Sequence, residues 1–250
     1  MKNRDSGLTR SIGPATSDIA AEVIERSLMR ITGPLADVEQ TRFISRVVQT
    51  WRKRGQRRSV EPILTLVCGY AGSGKSEFSR FLSEVTGWAL LDKDSMTCAM
   101  AERLLTALGG DPHDRHTELY LREVRPLEYR CLLETAFDNL RVGTSAILSA
   151  PFIAEMNSPG WMSHLTGQCS AMGADVGVIW IRCDLTSMRR HIEIRRAARD
   201  AWKLDNWAAY TSGLDTNNSP PTAHINVDNR LGAAISVIDQ TRVTLKRILA

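Results

Sequence analysis

Apolar positions along the chain fall into two regimes that meet at Pro62. Before it the spacing is helical. Ile19, Val23, Ile24, Leu28 and Ile31 recur every three or four residues, with Ser17 and Asp18 as candidate caps and Gly33-Pro34 as a stop. Leu35, Val38, Phe43, Ile44, Val47, Val48 and Trp51 form a second such face. Each face needs a partner surface, and the main domain is the simplest one. Residues 1–16 mix Gly, Ser, Thr, Pro and charges and read as a tail. The expected organisation is a tail (1–16), a helical extension (17–60) and one main domain (61–250).

Beyond Pro62, short apolar runs alternate with helical stretches. Residues 63–68 are rich in β-branched side chains, end at Gly69, and read as a buried parallel strand. Further strands are expected over 88–91, 144–150, 174–183 and 224–227. Helices are expected over 75–85, 95–108, 117–140 and 231–249. This alternation predicts an α/β fold, a parallel five-stranded sheet covered by helices on both faces.

Composition narrows the class. In 250 residues the hydrophobic share is 43% and the charged share 24%, which excludes a disordered, collagenous or coiled-coil chain. No run approaches 18 apolar residues, so no membrane span is expected. The first thirty residues lack the apolar core of a secretory signal, and a cytoplasmic protein is expected. A net charge of +4 suits anionic small ligands. Nucleic-acid binding needs denser charge than this, and the one dense patch is 51–58, WRKRGQRR. The five cysteines show no CxxC or Cys/His spacing and are expected to be free thiols.

Gly69-Tyr70-Ala71-Gly72-Ser73-Gly74-Lys75-Ser76 fits the pattern GxxxxGK[ST], between an apolar strand and a helix. Glycines permit a tight loop whose N–H groups converge on phosphate oxygens, and the helix dipole reinforces them. Lys75 is placed to reach the β- and γ-phosphates of ATP, and the Ser76 hydroxyl to ligate magnesium. The third strand ends Ser149-Ala150-Pro151-Phe152 without a carboxylate. Carboxylates follow the second strand instead, in Leu91-Asp92-Lys93-Asp94-Ser95-Met96. That edge of the sheet faces the ligand crevice of doubly wound folds, where a base would meet an acceptor hydroxyl. Asp94 is read as that base. Capping the helix that begins at Ser95 is its alternative role. Residues 188–200 hold five arginines, with Arg195 and Arg199 expected on one helical face. They suggest a lid closing over the phosphates, and a solvated basic helix is the alternative. Trp202, Trp207 and Tyr210 read as core, and His191 and His224 as structural.

The segments GYAGSGKSEFSRFL, LDKDSM, YRCLLETAFDNLRVGTSAILSAPF and RRAARDAWKLDNW together resemble the P-loop small-molecule kinases, nearest the AAA_33/zeta-toxin-like group. The layout is similar to chloramphenicol phosphotransferase, adenylylsulfate kinase and gluconate kinase. It covers 61–250, which is thereby expected to be a kinase domain. The resemblance implies strand order 2-3-1-4-5 and transfer of the ATP γ-phosphate, with magnesium, to a small-molecule hydroxyl. The acceptor-pocket residues match no one of these families, so the substrate is not inherited; a sugar, nucleoside or antibiotic is the expected acceptor. The resemblance implies Asp94 as base with Asp92 as second candidate, and Arg196 and Arg199 as lid arginines. It places the acceptor pocket between the second and third strands, with Arg125, Tyr129 and Phe152 as candidate contacts. The segment 226–229 only loosely resembles the adenine-contacting stretch of these families. A toxin kinase acting on a sugar nucleotide and a regulatory nucleotide-binding module are the alternatives.

Overall fold

The computed structural model describes residues 61–158, 160–217 and 219–248, with Ser45 alone before them. The chain divides into two units between Val60 and Glu61. The two helices and the basic run expected before Pro62 lie outside the described residues.

Five strands form one parallel sheet: β1 (Ile63–Cys68), β2 (Ala89–Asp92), β3 (Ala146–Ser149), β4 (Asp175–Arg182) and β5 (Ile225–Asp228). Their order is β2-β3-β1-β4-β5, as expected. Every residue of β1 is buried, which is why its sequence is continuously apolar and does not alternate. Leu64, Leu66 and Cys68 face one side, together with Leu132 and Ala136 of α3 (Arg125–Arg141) and Leu165 and Cys169 of α5 (Trp161–Ala171). Val67 faces the other, against Phe78 and Leu82 of α1 (Lys75–Thr86) and Val237 of α9 (Val237–Ile248). Truncating one of these fully buried leucines costs about 2–5 kcal/mol.

Three local departures from expectation matter for the site. First, β2 runs on to Asp92, and α2 (Lys93–Ala107) starts two residues before Ser95. Second, the helix expected over 117–140 opens as a π turn, Tyr120–Val124, before α3. Pro126 carries no N–H for the α-helical bond to Arg122, and the N–H of Arg125 reaches back to the carbonyl of Tyr120 instead. Third, α6 (Leu185–Arg195) stops inside the arginine cluster. Arg196 takes a left-handed conformation (φ 51°) and the chain continues as a 3₁₀ turn (Ala198–Asp200), α7 (Ala201–Asp205) and α8 (Trp207–Thr211). A short helix α4 (Ile153–Asn157) follows β3.

Trp202, Trp207 and Tyr210 are not core. Neither α7 nor α8 has a buried residue, and Trp202 stacks on His116 with ring centres 3.7 Å apart. Among the described residues no helix is long and apolar enough to cross a membrane. All five cysteines are unpaired.

Candidate active site

The loop after β1 carries left-handed backbone at Gly72 (φ 80°) and Gly74 (φ 94°). A Cβ on Gly74 would lie 2.1 Å from the amide nitrogen of Asn229, which donates to the Ser73 carbonyl at 2.9 Å. A Cβ on Gly72 would meet the Met188 carbonyl at 2.8 Å. Side chains are therefore excluded where β5 and α6 close on the loop. Gly72, Gly74, Lys75 and Ser76 line a cavity of about 660 Å³, while Gly69, Tyr70, Ala71 and Ser73 shape the loop behind them. His191 braces it through Nδ1, 2.8 Å from the Gly72 carbonyl. Tyr70 donates to the Asp215 carbonyl at 3.3 Å.

The loop fits a phosphate group. No side chain caps the N-terminus of α1, so its first N–H groups remain free for an anion. The Ser73 hydroxyl is buried and has no hydrogen-bond partner among the described residues. Lys75 turns back on its own loop, donating to the Tyr70 carbonyl at 2.7 Å. Burial, helped by the charge of Arg195, pushes its ammonium down to about 8. An entering phosphate opposes both influences, since it adds negative charge beside the ammonium to that of Asp94 and Asp92.

The two carboxylates after β2 have separate tasks. Asp92, not Asp94, caps α2: one oxygen accepts from the Ser95 N–H at 3.0 Å. Its other oxygen accepts from the Ser76 hydroxyl at 2.8 Å, beside the loop. Asp92 pairs in register with Ser149, the position at the end of β3 that lacks a carboxylate. The acid is thus supplied one strand over. Asp94 stands on the first turn of α2, with Lys93 at 2.9 Å and Arg199 at 3.0 Å. Burial raises its proton affinity, but these two cations outweigh it and hold the carboxyl well below the usual range.

From the arginine-rich segment, Arg195 and Arg199 contribute to the cavity lining. Arg196 is exposed and is not among the lining residues. Because the helix ends at Arg195, Arg199 reaches the cleft from the 3₁₀ turn, not from a shared helical face. Asp200, almost fully buried, accepts from Arg195 at 2.9 Å and from Lys203 at 2.8 Å. That ion cluster holds the turn.

The expected acceptor contacts are not assembled here. Phe152 is fully buried and Tyr129 is 6% exposed. Their rings pack edge to face at 5.3 Å, and the Tyr129 hydroxyl accepts from the Phe152 N–H. Arg125 is paired with Glu155 at 2.7 Å and lies over the Tyr129 ring at 4.2 Å. Arg125 and Tyr129 are thus engaged with the protein's own side chains. The cavity extends instead along Leu90, Asp94, Ser95 and Arg80, none of which except Asp94 was singled out from sequence. A lone Arg in an amphipathic helix gives no signal of this kind.

No curated protein sequence matches the chain. Among solved structures, a protein from Chloroflexus aurantiacus provisionally named a kinase is similar at TM-score 0.53 and 20% identity, covering 75% of this chain and 98% of its own. The Mycobacterium tuberculosis APS kinase, solved with AMPPNP and APS, is similar at TM-score 0.48 and 17% identity over 76% of this chain and 100% of its own. A gluconokinase from Sinorhizobium meliloti 1021 gives TM-score 0.45 and 14% identity over 75% of this chain and 94% of its own. The family model AAA_33, described as an AAA domain, matches residues 64–215, from β1 through the lid. This is more than half of the sequence, and the chain belongs to that family.

Proposed function

We propose that the protein is a phosphotransferase that moves the γ-phosphate of ATP to a hydroxyl group of a small molecule. One observation carries the reading: the phosphate loop, the Ser76–Asp92 pair and the Asp94–Arg199 pair all border a single cavity. A binding module needs the loop alone. Transfer needs the rest.

In this reading the loop N–H groups and Lys75 hold the phosphates, and Ser76 holds magnesium with Asp92 orienting its hydroxyl. Magnesium supplies charge neutralisation across the phosphates when bound. Arg195 and Arg199 approach the transferring group from the lid, where fixed positive charge lowers the barrier. Asp94 faces the acceptor, which enters along Leu90, Ser95 and Arg80. So strongly ionised a carboxylate is a weak proton acceptor but a firm hydrogen-bond acceptor. Loose phosphoryl transfer asks mainly for orientation of the attacking oxygen.

The test is acceptor-dependent ADP release with magnesium and ATP, screened against sugars, nucleosides and hydroxylated antibiotics. Asp94→Asn should lower turnover on the order of 10²-fold on the acceptor found, through a misoriented attacking oxygen, with ATP affinity unchanged. Asp92→Asn keeps the helix cap and tests the Ser76 side independently. Slow ADP release that no acceptor accelerates would overturn the reading in favour of a nucleotide-binding module.

A further inference from the structure

Beneath Asp94 lies a polar cluster that the proposed chemistry does not use. Lys93 and Glu128 are both almost fully buried and pair at 3.0 Å across 35 positions of sequence. Glu128 also accepts from the Thr97 hydroxyl at 2.9 Å and from the Tyr120 hydroxyl at 2.6 Å. Three donors converge on one carboxylate, and none of Lys93, Thr97, Tyr120 or Glu128 lines the cavity. The cluster meets the cavity lining at Asp94, whose Oδ1 lies 2.9 Å from the same Lys93 ammonium.

The backbone is bent to build this cluster. At α-helical pitch, residues eight apart are rotated by roughly 80° from one another. The π turn over Tyr120–Val124 absorbs an extra residue and brings Tyr120 onto Glu128. A buried ion pair is a poor source of stability, because apolar side chains of equal volume do as well or better. Its geometric consequence is specific. Asp94 has two cationic partners, Lys93 from below and Arg199 from the lid.

We propose that Lys93, anchored by Glu128, is a positioning residue: it fixes the Asp94 carboxylate toward the cleft and remains its partner when Arg199 leaves for the phosphates. The inference rests on the phosphotransferase reading for its kinetic consequence, but not for its structural one. Without Lys93, departure of Arg199 would leave Asp94 with no cation in contact and nothing to hold its orientation toward the acceptor.

The double variant Lys93→Met/Glu128→Gln tests this, because removing both charges leaves neither stranded. The expected result is a fold and melting temperature near wild type, an unchanged KM for ATP, and a kcat lower by about 10–100-fold. A merely structural pair predicts wild-type kcat in a folded double variant, and that result overturns the proposal. If the double variant does not fold, Tyr120→Phe removes one donor from Glu128. Its kcat should fall about two- to tenfold at unchanged KM for ATP, and an unchanged kcat overturns the proposal. Failure of wild type to phosphorylate any acceptor sinks the phosphotransferase reading, and a crystal structure of the folded variant then decides this one. With a non-hydrolysable ATP analogue bound, Asp94 turned from its place supports positioning, and Asp94 unmoved, or Arg199 still paired with it, refutes it.

Discussion

Lys75 carries an electrostatic imbalance set by the protein around it. Its ammonium is surrounded by carbonyl oxygen, buried stem and the nearby charge of Arg195, and burial with that repulsion brings it down to about 8. Phosphate oxygens reverse the balance by favouring the charged form. Around pH 8.5 the free site is therefore largely neutral and the nucleotide-bound site protonated, so binding takes up a proton. Below about pH 7 the lysine is already charged and no uptake follows. Calorimetry at pH 8.5 in buffers of different ionisation heat should show uptake of about half to one proton per nucleotide. Lys75→Met should abolish it. Proton-neutral binding by wild type at that pH would exclude the imbalance described. Asp94 is lowered too, but there the shift favours the charged form, because Lys93 and Arg199 already pair with its carboxylate.

At the scale of elements, the end of α6 decides which arginines face the cavity. Arg-Arg-Ala-Ala-Arg-Asp is a helix-favouring string, and its periodicity suggests an unbroken helix with Arg195 and Arg199 aligned. What accompanies the break is a local ion cluster. Buried Asp200 draws in Arg195 and Lys203, and Arg196 pays for the turn with a left-handed backbone. Glycine takes that conformation without a Cβ clash. Arg196→Gly should therefore leave stability unchanged or raise it by up to about 1 kcal/mol, with phosphoryl transfer within about twofold of wild type. Chemical denaturation and turnover measure the two. A tenfold loss of transfer would return Arg196 to the site. The strands and the phosphate loop were legible because their signals are local: apolar runs between breakers, and eight residues in fixed spacing. Tyr129 and Phe152 were misread as acceptor contacts because polarity along α3 does not reveal that Tyr129 spends its hydroxyl on the Phe152 N–H. Lys93–Glu128 was invisible for a different reason, since 35 residues separate the partners and only Pro126 hints at the π turn that seats Tyr120 beside them.

At the scale of the whole molecule, the division of labour within one cavity is itself testable, because binding and transfer should fail separately. A ligand that binds only the folded protein stabilises it by about 2.7 kcal/mol when present at a hundred times its Kd. For a unit the size of 61–250 each kcal/mol moves the melting temperature by about 2–4 °C, so saturating magnesium–ATP should raise it by about 5–10 °C. The loop and Lys75 supply most of this, since they hold the phosphates in every state of the reaction. Lys75→Ala should lose most of the shift. Asp94→Asn should keep the shift while losing turnover, because in the proposed reading Asp94 meets the acceptor, and its ion pairs are with Lys93 and Arg199. Its loss also frees Arg199 from an ion pair, which leaves that arginine available to the phosphates and predicts a shift at least as large as wild type. A shift that collapses in Asp94→Asn would mean the Asp94–Arg199 pair builds the nucleotide site itself. The lid would then be part of the binding surface even in the absence of ligand, and the separation of roles argued for the two carboxylates would fail.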